Sequence, residues 1–68
     1  MPLFKTRMRV LRAERELTQA QFAAQVGVTR QTINFIEKAR FHPNLRLAFR
    51  IARVFEKRVA EVFVYEDI

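Results

Sequence analysis

Apolar residues recur at three- and four-residue spacing along much of the chain, the period of one face of a helix. Met8 and Leu11 mark the inner stripe of a first helix, expected from about Phe4 to Arg15, with Arg12 and Arg15 on the same face. Ile33 and Ile36 define the inner side of a later helix, whose outer side carries Gln31, Asn34, Phe35 and Lys38 at i, i+3, i+4 and i+7. Ala48, Ile51, Ala52 and Phe55, widened by Leu47 and Val54, form the stripe of a helix over about Leu45 to Phe55. That width implies burial against more than one surface. Val59, Val62 and Phe63 suit a short fifth helix, and V-F-V-Y at residues 62 to 65 has strand preference. The expected fold is therefore all-α, five helices in a single domain over residues 1–68, with a short C-terminal strand.

Turn chemistry fixes the boundaries between residues 18 and 38. Thr18 and Gln21 have the spacing of a capping box, and Leu17 and Phe22 that of a hydrophobic staple. Thr29 repeats the cap, flanked by Val28 and Ile33. Gly27, the only glycine, falls between these two helix starts, where a left-handed C-terminal cap suits it. A helix of about eight residues, a turn of three or four, and a second helix is a helix-turn-helix. The amides and cations on the outer side of its second helix suit the reading of base edges.

Length and charge narrow the reading. Sixty-eight residues make one small domain with a modest core, and without cysteine or metal-ligand clusters that core must rest on helix packing, helped by dimerisation. The net charge is +6, and all thirteen Lys and Arg lie at or before Arg58. Only four acids accompany them there, so residues 1 to 58 carry +9 and the last ten residues are acidic. A basic body with an acidic tail fits a polyanion partner; the alternative is a merely solvated helical surface. The N-terminus is too polar for a signal peptide and no apolar run reaches transmembrane length, which points to a soluble, cytoplasmic, nucleoid-associated protein without membrane contact. His42 stands alone without Cys or a second His, and the chain has no serine, Gly-rich loop or paired-carboxylate cleft. Metal binding, catalysis and cofactor use are thus not expected, nor is a small-molecule ligand.

One charge pair is legible. Glu37 lies beside Ile33 and Ile36 on the inner side of its helix, Arg12 beside Leu11 on the first. A half-buried carboxylate needs a cation, so Arg12 and Glu37 are expected to pair.

The run L-R-A-E-R-E-L-T-Q-A-Q-F-A-A-Q-V-G-V-T-R-Q-T-I-N-F-I-E-K, followed by P-N-L-x-L-A-x-x-I-A, resembles the Cro/C1-type helix-turn-helix regulators, most nearly their short single-domain prokaryotic members. The resemblance implies a five-helix, lambda-repressor-like DNA-binding domain, commonly a repressor binding an inverted-repeat operator as a homodimer. It places Arg30, Gln31 and Asn34 at base edges in the major groove. Phe35 is a further outward position, which either packs on a thymine methyl or folds back as an ordinary apolar residue. Gln19, Thr29, Thr32, Lys38 and Arg40 match phosphate contacts, and Arg12 and Glu37 match a pair in related domains. Dimerisation falls to the segment of about residues 59–68, with Val62, Val64 and Tyr65 as interface candidates if V-F-V-Y does more than cover the core.

Three departures from the family pattern stand out. Ala39 occupies a usual glycine after the recognition helix, which predicts a strained or altered turn. Glu16 replaces a common glycine and is expected to lengthen the first helix. Lys57-Arg58 replaces a frequent Gly-Val and leaves the C-terminal geometry open. The alternative function is a protein-bridging or antitoxin-like interaction module on the same fold, which would not require amides on the outer face of the third helix.

Overall fold

The computed structural model describes residues 2–67; residue 68 of the expected dimerisation segment lies outside them. The elements run β1 (Pro2–Thr6), α1 (Met8–Glu14), α2 (Gln19–Val26), α3 (Arg30–Glu37), α4 (Leu45–Val54), α5 (Val59–Val62) and β2 (Phe63–Asp67). Five helices surround one core of Met8, Leu11, Phe22, Val26, Ile33, Ile36, Ile51, Phe55 and Val62, closed by Ala23 and Ala52. At its centre the rings of Phe22 and Phe55 stack with centroids 4.8 Å apart. Leu17, Val28, Leu47, Val54, Val59 and Phe63 pack around this cluster half-buried.

The first helix begins later than its apolar stripe predicts. Residues 4 to 6 are strand, because β1 and β2 form an antiparallel ribbon in the register Phe4↔Tyr65, Lys5↔Val64 and Thr6↔Phe63. The Arg7 N–H donates to the Val62 carbonyl at 2.8 Å, and the Met8 N–H to Thr6 Oγ1 at 3.0 Å. The strand expected at V-F-V-Y is present from Phe63 onward, Val62 closing α5, and one of its edges pairs with the N-terminus of its own chain.

The capping chemistry is as read. Thr18 Oγ1 accepts from the Gln21 N–H at 3.0 Å while Gln21 Oε1 accepts from the Thr18 N–H at 2.9 Å. Thr29 caps α3 by accepting from the Thr32 N–H, and Asn44 Oδ1 accepts from the Leu47 N–H at 2.8 Å to start α4. Glu61 Oε1 accepts from the Arg58 N–H at 2.9 Å at the start of α5.

The ends of α1 to α4 share one device. Four N–H groups reach back five residues, Leu17 to Arg12, Val28 to Ala23, Arg40 to Phe35 and Lys57 to Ala52. Each follows a residue in the left-handed region: Glu16 (φ 56°), Gly27 (φ 86°), Ala39 (φ 58°) and Glu56 (φ 55°). This is the Schellman ending, for which glycine is the unstrained choice. Glu16 therefore does not lengthen α1, which stops at Glu14; Glu16 is forced into the conformation a glycine would take freely. The same holds at Ala39, where the anticipated strain is found, and near Lys57-Arg58, where the left-handed residue is Glu56. Each such residue costs on the order of 1 kcal/mol, which the buried core offsets.

Candidate nucleic-acid interface

The site grows out of the capped pair α2 and α3. Three residues, Gly27, Val28 and Thr29, separate the helices. The left-handed Gly27 turns the chain, and burial of Phe22, Val26, Ile33 and Ile36 fixes how the two helices cross. With Ile33 and Ile36 fully buried, the opposite side of α3 must face outward. Arg30, Gln31 and Phe35 are exposed there and Asn34 is half-buried. Thr29 and Thr32 lie at the start of the helix with hydroxyls 2.9 Å apart, and Lys38 and Arg40 are exposed at its end.

A polar network holds this face to the core. Arg12 grips Glu37 with two prongs, Nε donating to Oε2 at 2.8 Å and Nη2 to Oε1 at 3.2 Å. Arg12 Nη1 also donates to the Leu17 carbonyl at 2.8 Å, tying α1 to the start of α2. The Glu37 side chain is only 5% exposed and that of Arg12 16%, so the pair sits out of water. The fork geometry explains why an arginine serves here: a lysine would supply a point charge without the second prong.

Gln19 extends the network. Its Nε2 donates to Glu37 Oε1 at 3.1 Å, and its Oε1 accepts from Asn34 Nδ2 at 3.5 Å. The chain Arg12, Glu37, Gln19, Asn34 thus runs from α1 through the end of α3 and the start of α2 to the middle of the outer face of α3. The pairing of Arg12 with Glu37 was legible in the sequence; the commitment of Gln19 to it was not. Thr18 as cap puts Gln19 at the first position of α2, but which helix its amide leans on depends on the crossing of α2 and α3.

The dimer candidates separate. Val62 is fully buried in the core, so its side chain cannot reach a partner. Tyr65 is 58% exposed and Val64 half-buried, on opposite faces of the ribbon. His42 is exposed, as expected of a loop histidine, but it is not isolated: its ring lies 4.4 Å from that of Phe4 and meets Tyr65 edge-on at 5.6 Å.

These features define a helix-turn-helix protein: capped helices, a three-residue glycine turn, and an amide-bearing outer face on the second helix. The helix-turn-helix family profile matches residues 8–62. The chain is 48% identical over 63 residues to an uncharacterized HTH-type transcriptional regulator of Archaeoglobus fulgidus, covering 93% of this chain and 90% of that one. It is 44% identical to the uncharacterized regulator MJ0272 of Methanocaldococcus jannaschii and 38% to YgzD of Bacillus subtilis, in each case over 93% of this chain and 96% of the other. A crystal structure of a candidate DNA-binding protein from Bacteroides fragilis superposes with a TM-score of 0.80 over 91% of this chain and all of that one. At 21% identity that likeness is one of fold. The chain belongs to the Cro/C1-type helix-turn-helix family of DNA-binding transcriptional regulators, and it is not an enzyme. Among the described residues no helix is long and apolar enough to cross a membrane.

Proposed function

We propose that this regulator is a cytoplasmic, nucleoid-associated repressor that binds an inverted-repeat operator as a homodimer, with α3 of each copy in the major groove. The observation that carries the proposal is the outer face of α3, where Arg30, Gln31, Asn34 and Phe35 are presented together on a helix anchored through Glu37 to Arg12. Arg30 donates to guanine O6 and N7, while Gln31 and Asn34 offer paired hydrogen bonds to adenine. Asn34 Nδ2 already leans on Gln19, which limits its freedom before DNA arrives. Phe35, exposed at mid-helix, packs on a thymine methyl.

Phosphates are held around this face. Thr29 and Thr32 approach one strand from the start of α3, Lys38 and Arg40 the other side from its end, and Gln19 from the start of α2. The left-handed Ala39 separates the two cations. Two copies on successive major grooves place half-sites about 34 Å apart, one turn of the duplex.

The test is a pair of substitutions read against a panel of duplexes. Gln31→Ala should cost about 1 to 3 kcal/mol on the preferred sequence and relax preference at one base pair, whereas Lys38→Ala should weaken every duplex alike. Equal loss on all sequences for Gln31→Ala would remove it from base reading and favour the protein-bridging alternative.

A further inference from the structure

The outer side of α4 serves neither the core nor the reading of DNA by α3. Ala48, Ile51 and Ala52 bury its inner side, which leaves Arg46, Phe49, Arg50 and Arg53 exposed at i, i+3, i+4 and i+7. These four line a groove of about 810 Å³, to which the corner between α4 and α5 adds Lys57 and Arg58. Phe49 is 59% exposed there, an aromatic ring standing among five cations. Glu56 is the one acid of the groove, and its carboxylate lies 3.7 Å from Nη2 of Arg15, which is not part of it. Among the described residues only Arg12 and Arg15 are ion-paired, so none of the five cations is committed to a carboxylate. Five cations and one acid leave a local excess of four positive charges, against +6 for the whole chain. Cations held this close repel one another, and an anion in the groove relieves that repulsion.

We propose that this groove binds an unpaired nucleic-acid strand, with a base stacked on Phe49 and the phosphates held by Arg46, Arg50 and Arg53. The inference goes beyond the operator reading, because no residue of the groove lies on α2 or α3. Ring and charge together select the occupant. A cationic groove that tracks the backbone, with an aromatic face for a base, is how single strands are held without reading of their sequence. Guanidinium forks match phosphate oxygens, and all three cations on α4 are arginines. A duplex keeps its base faces inside the stack and gives Phe49 nothing to pack on, while an acidic peptide offers carboxylates without the flat rings. A mononucleotide is too short. At about 1.5 Å of rise per residue, Arg46 and Arg53 stand about 10 Å apart along α4, and only a strand repeats its phosphate over that distance. A second copy of the chain, at +6, brings charge of the wrong sign. Base faces and phosphates are common to RNA and DNA, so strands of either sugar should bind.

Fluorescence anisotropy of the full chain with labelled oligo(dT) and oligo(U) of about twelve nucleotides tests this, a labelled duplex being titrated in parallel. The variants replace exposed residues: Phe49→Ala, the double Arg50→Ala with Arg53→Ala, and Phe35→Ala on α3. Circular dichroism melts establish that each is folded. Wild type should bind both strands, and Phe49→Ala should weaken both by about 5- to 150-fold, the loss of one base–aromatic stack, while holding the duplex as wild type does. The arginine double should make the slope of log affinity against log salt shallower by about 1.4, at about 0.7 for each phosphate neutralised on a single strand. If Phe49→Ala binds both strands as tightly as wild type, the stacking site is refuted whatever the arginine variant does. Weakening by Phe35→Ala with Phe49→Ala silent would put the strand on α3 and overturn the proposal. Wild type that binds the duplex but neither strand would overturn it and leave the operator reading standing; wild type that binds none of the three would sink both.

Discussion

Removing Arg12 tests the anchoring of the recognition helix most sharply. In Arg12→Met the stem is replaced by a chain of similar length, so packing is roughly kept and the charge is lost. Glu37, 5% exposed, then keeps only the Gln19 amide in place of three donors. Breaking a buried pair from one side costs about 3 to 5 kcal/mol. The lower end applies here, about 3 kcal/mol, because Gln19 remains and the arginine side of the pair is 16% exposed. Sixty-eight residues carry a total stability of roughly 3 to 10 kcal/mol, so the loss is about three-tenths of it or more. Glu37→Gln keeps an acceptor for Arg12 and should cost less, about 2 kcal/mol. The double variant should lose about 3 kcal/mol rather than the sum, a coupling of about 2 kcal/mol. Urea unfolding followed by circular dichroism at 222 nm measures all three, and the slope with denaturant should stay constant. Single variants within about 0.5 kcal/mol of wild type, or a strictly additive double, would show that the pair is solvated and that α3 is held by apolar packing alone.

Three further outcomes follow from the same structure. Ala39→Gly should raise stability by about 0.5 to 1 kcal/mol in the same urea assay, because the left-handed strain removed exceeds the added freedom of the unfolded chain; a loss would mean that the αL turn is not strained. Thr18→Ala should lower stability by about 1 kcal/mol through loss of the α2 cap, and the Gln21 amide, which donates to that hydroxyl, should exchange faster with solvent. DNA affinity should fall steeply and linearly in log salt between roughly 50 and 200 mM, with a shallower slope by about one in Arg40→Ala, read by fluorescence anisotropy.

Much of the helix-turn-helix was legible because its signals are local. A threonine hydroxyl satisfies a backbone N–H three residues away, and Gly27 turns left wherever it stands, so Thr18, Thr29 and Gly27 announced their roles without knowledge of the fold. Arg12 and Glu37, twenty-five residues apart, were readable for a different reason: a carboxylate beside Ile33 and Ile36 demands a cation, and an apolar stripe holding an arginine offers one. What the sequence hid was decided by distant pairing. Phe4 to Thr6 fit a helical stripe as well as a strand until β2 comes alongside, and only the ribbon chooses. Glu16 and Glu56 carry no local mark of left-handedness, since the preference of each opposes it, and Ala39 was marked only by the glycine usual at its place in the family; the five-residue hydrogen bonds that close the helices impose it. Val62 belonged to an apolar run whose two faces the pattern does not tell apart; its full burial in the core does.

Selection from random duplex DNA near physiological salt, run in parallel with wild type and Gln31→Ala, tests the central claim directly. The account predicts that wild type converges on an inverted repeat with half-site centres about 10 base pairs apart, and that the substitution blurs one position in each half. A pool that binds without converging, identical for the two proteins, would contradict base reading by α3 and leave a basic surface that holds DNA by charge alone.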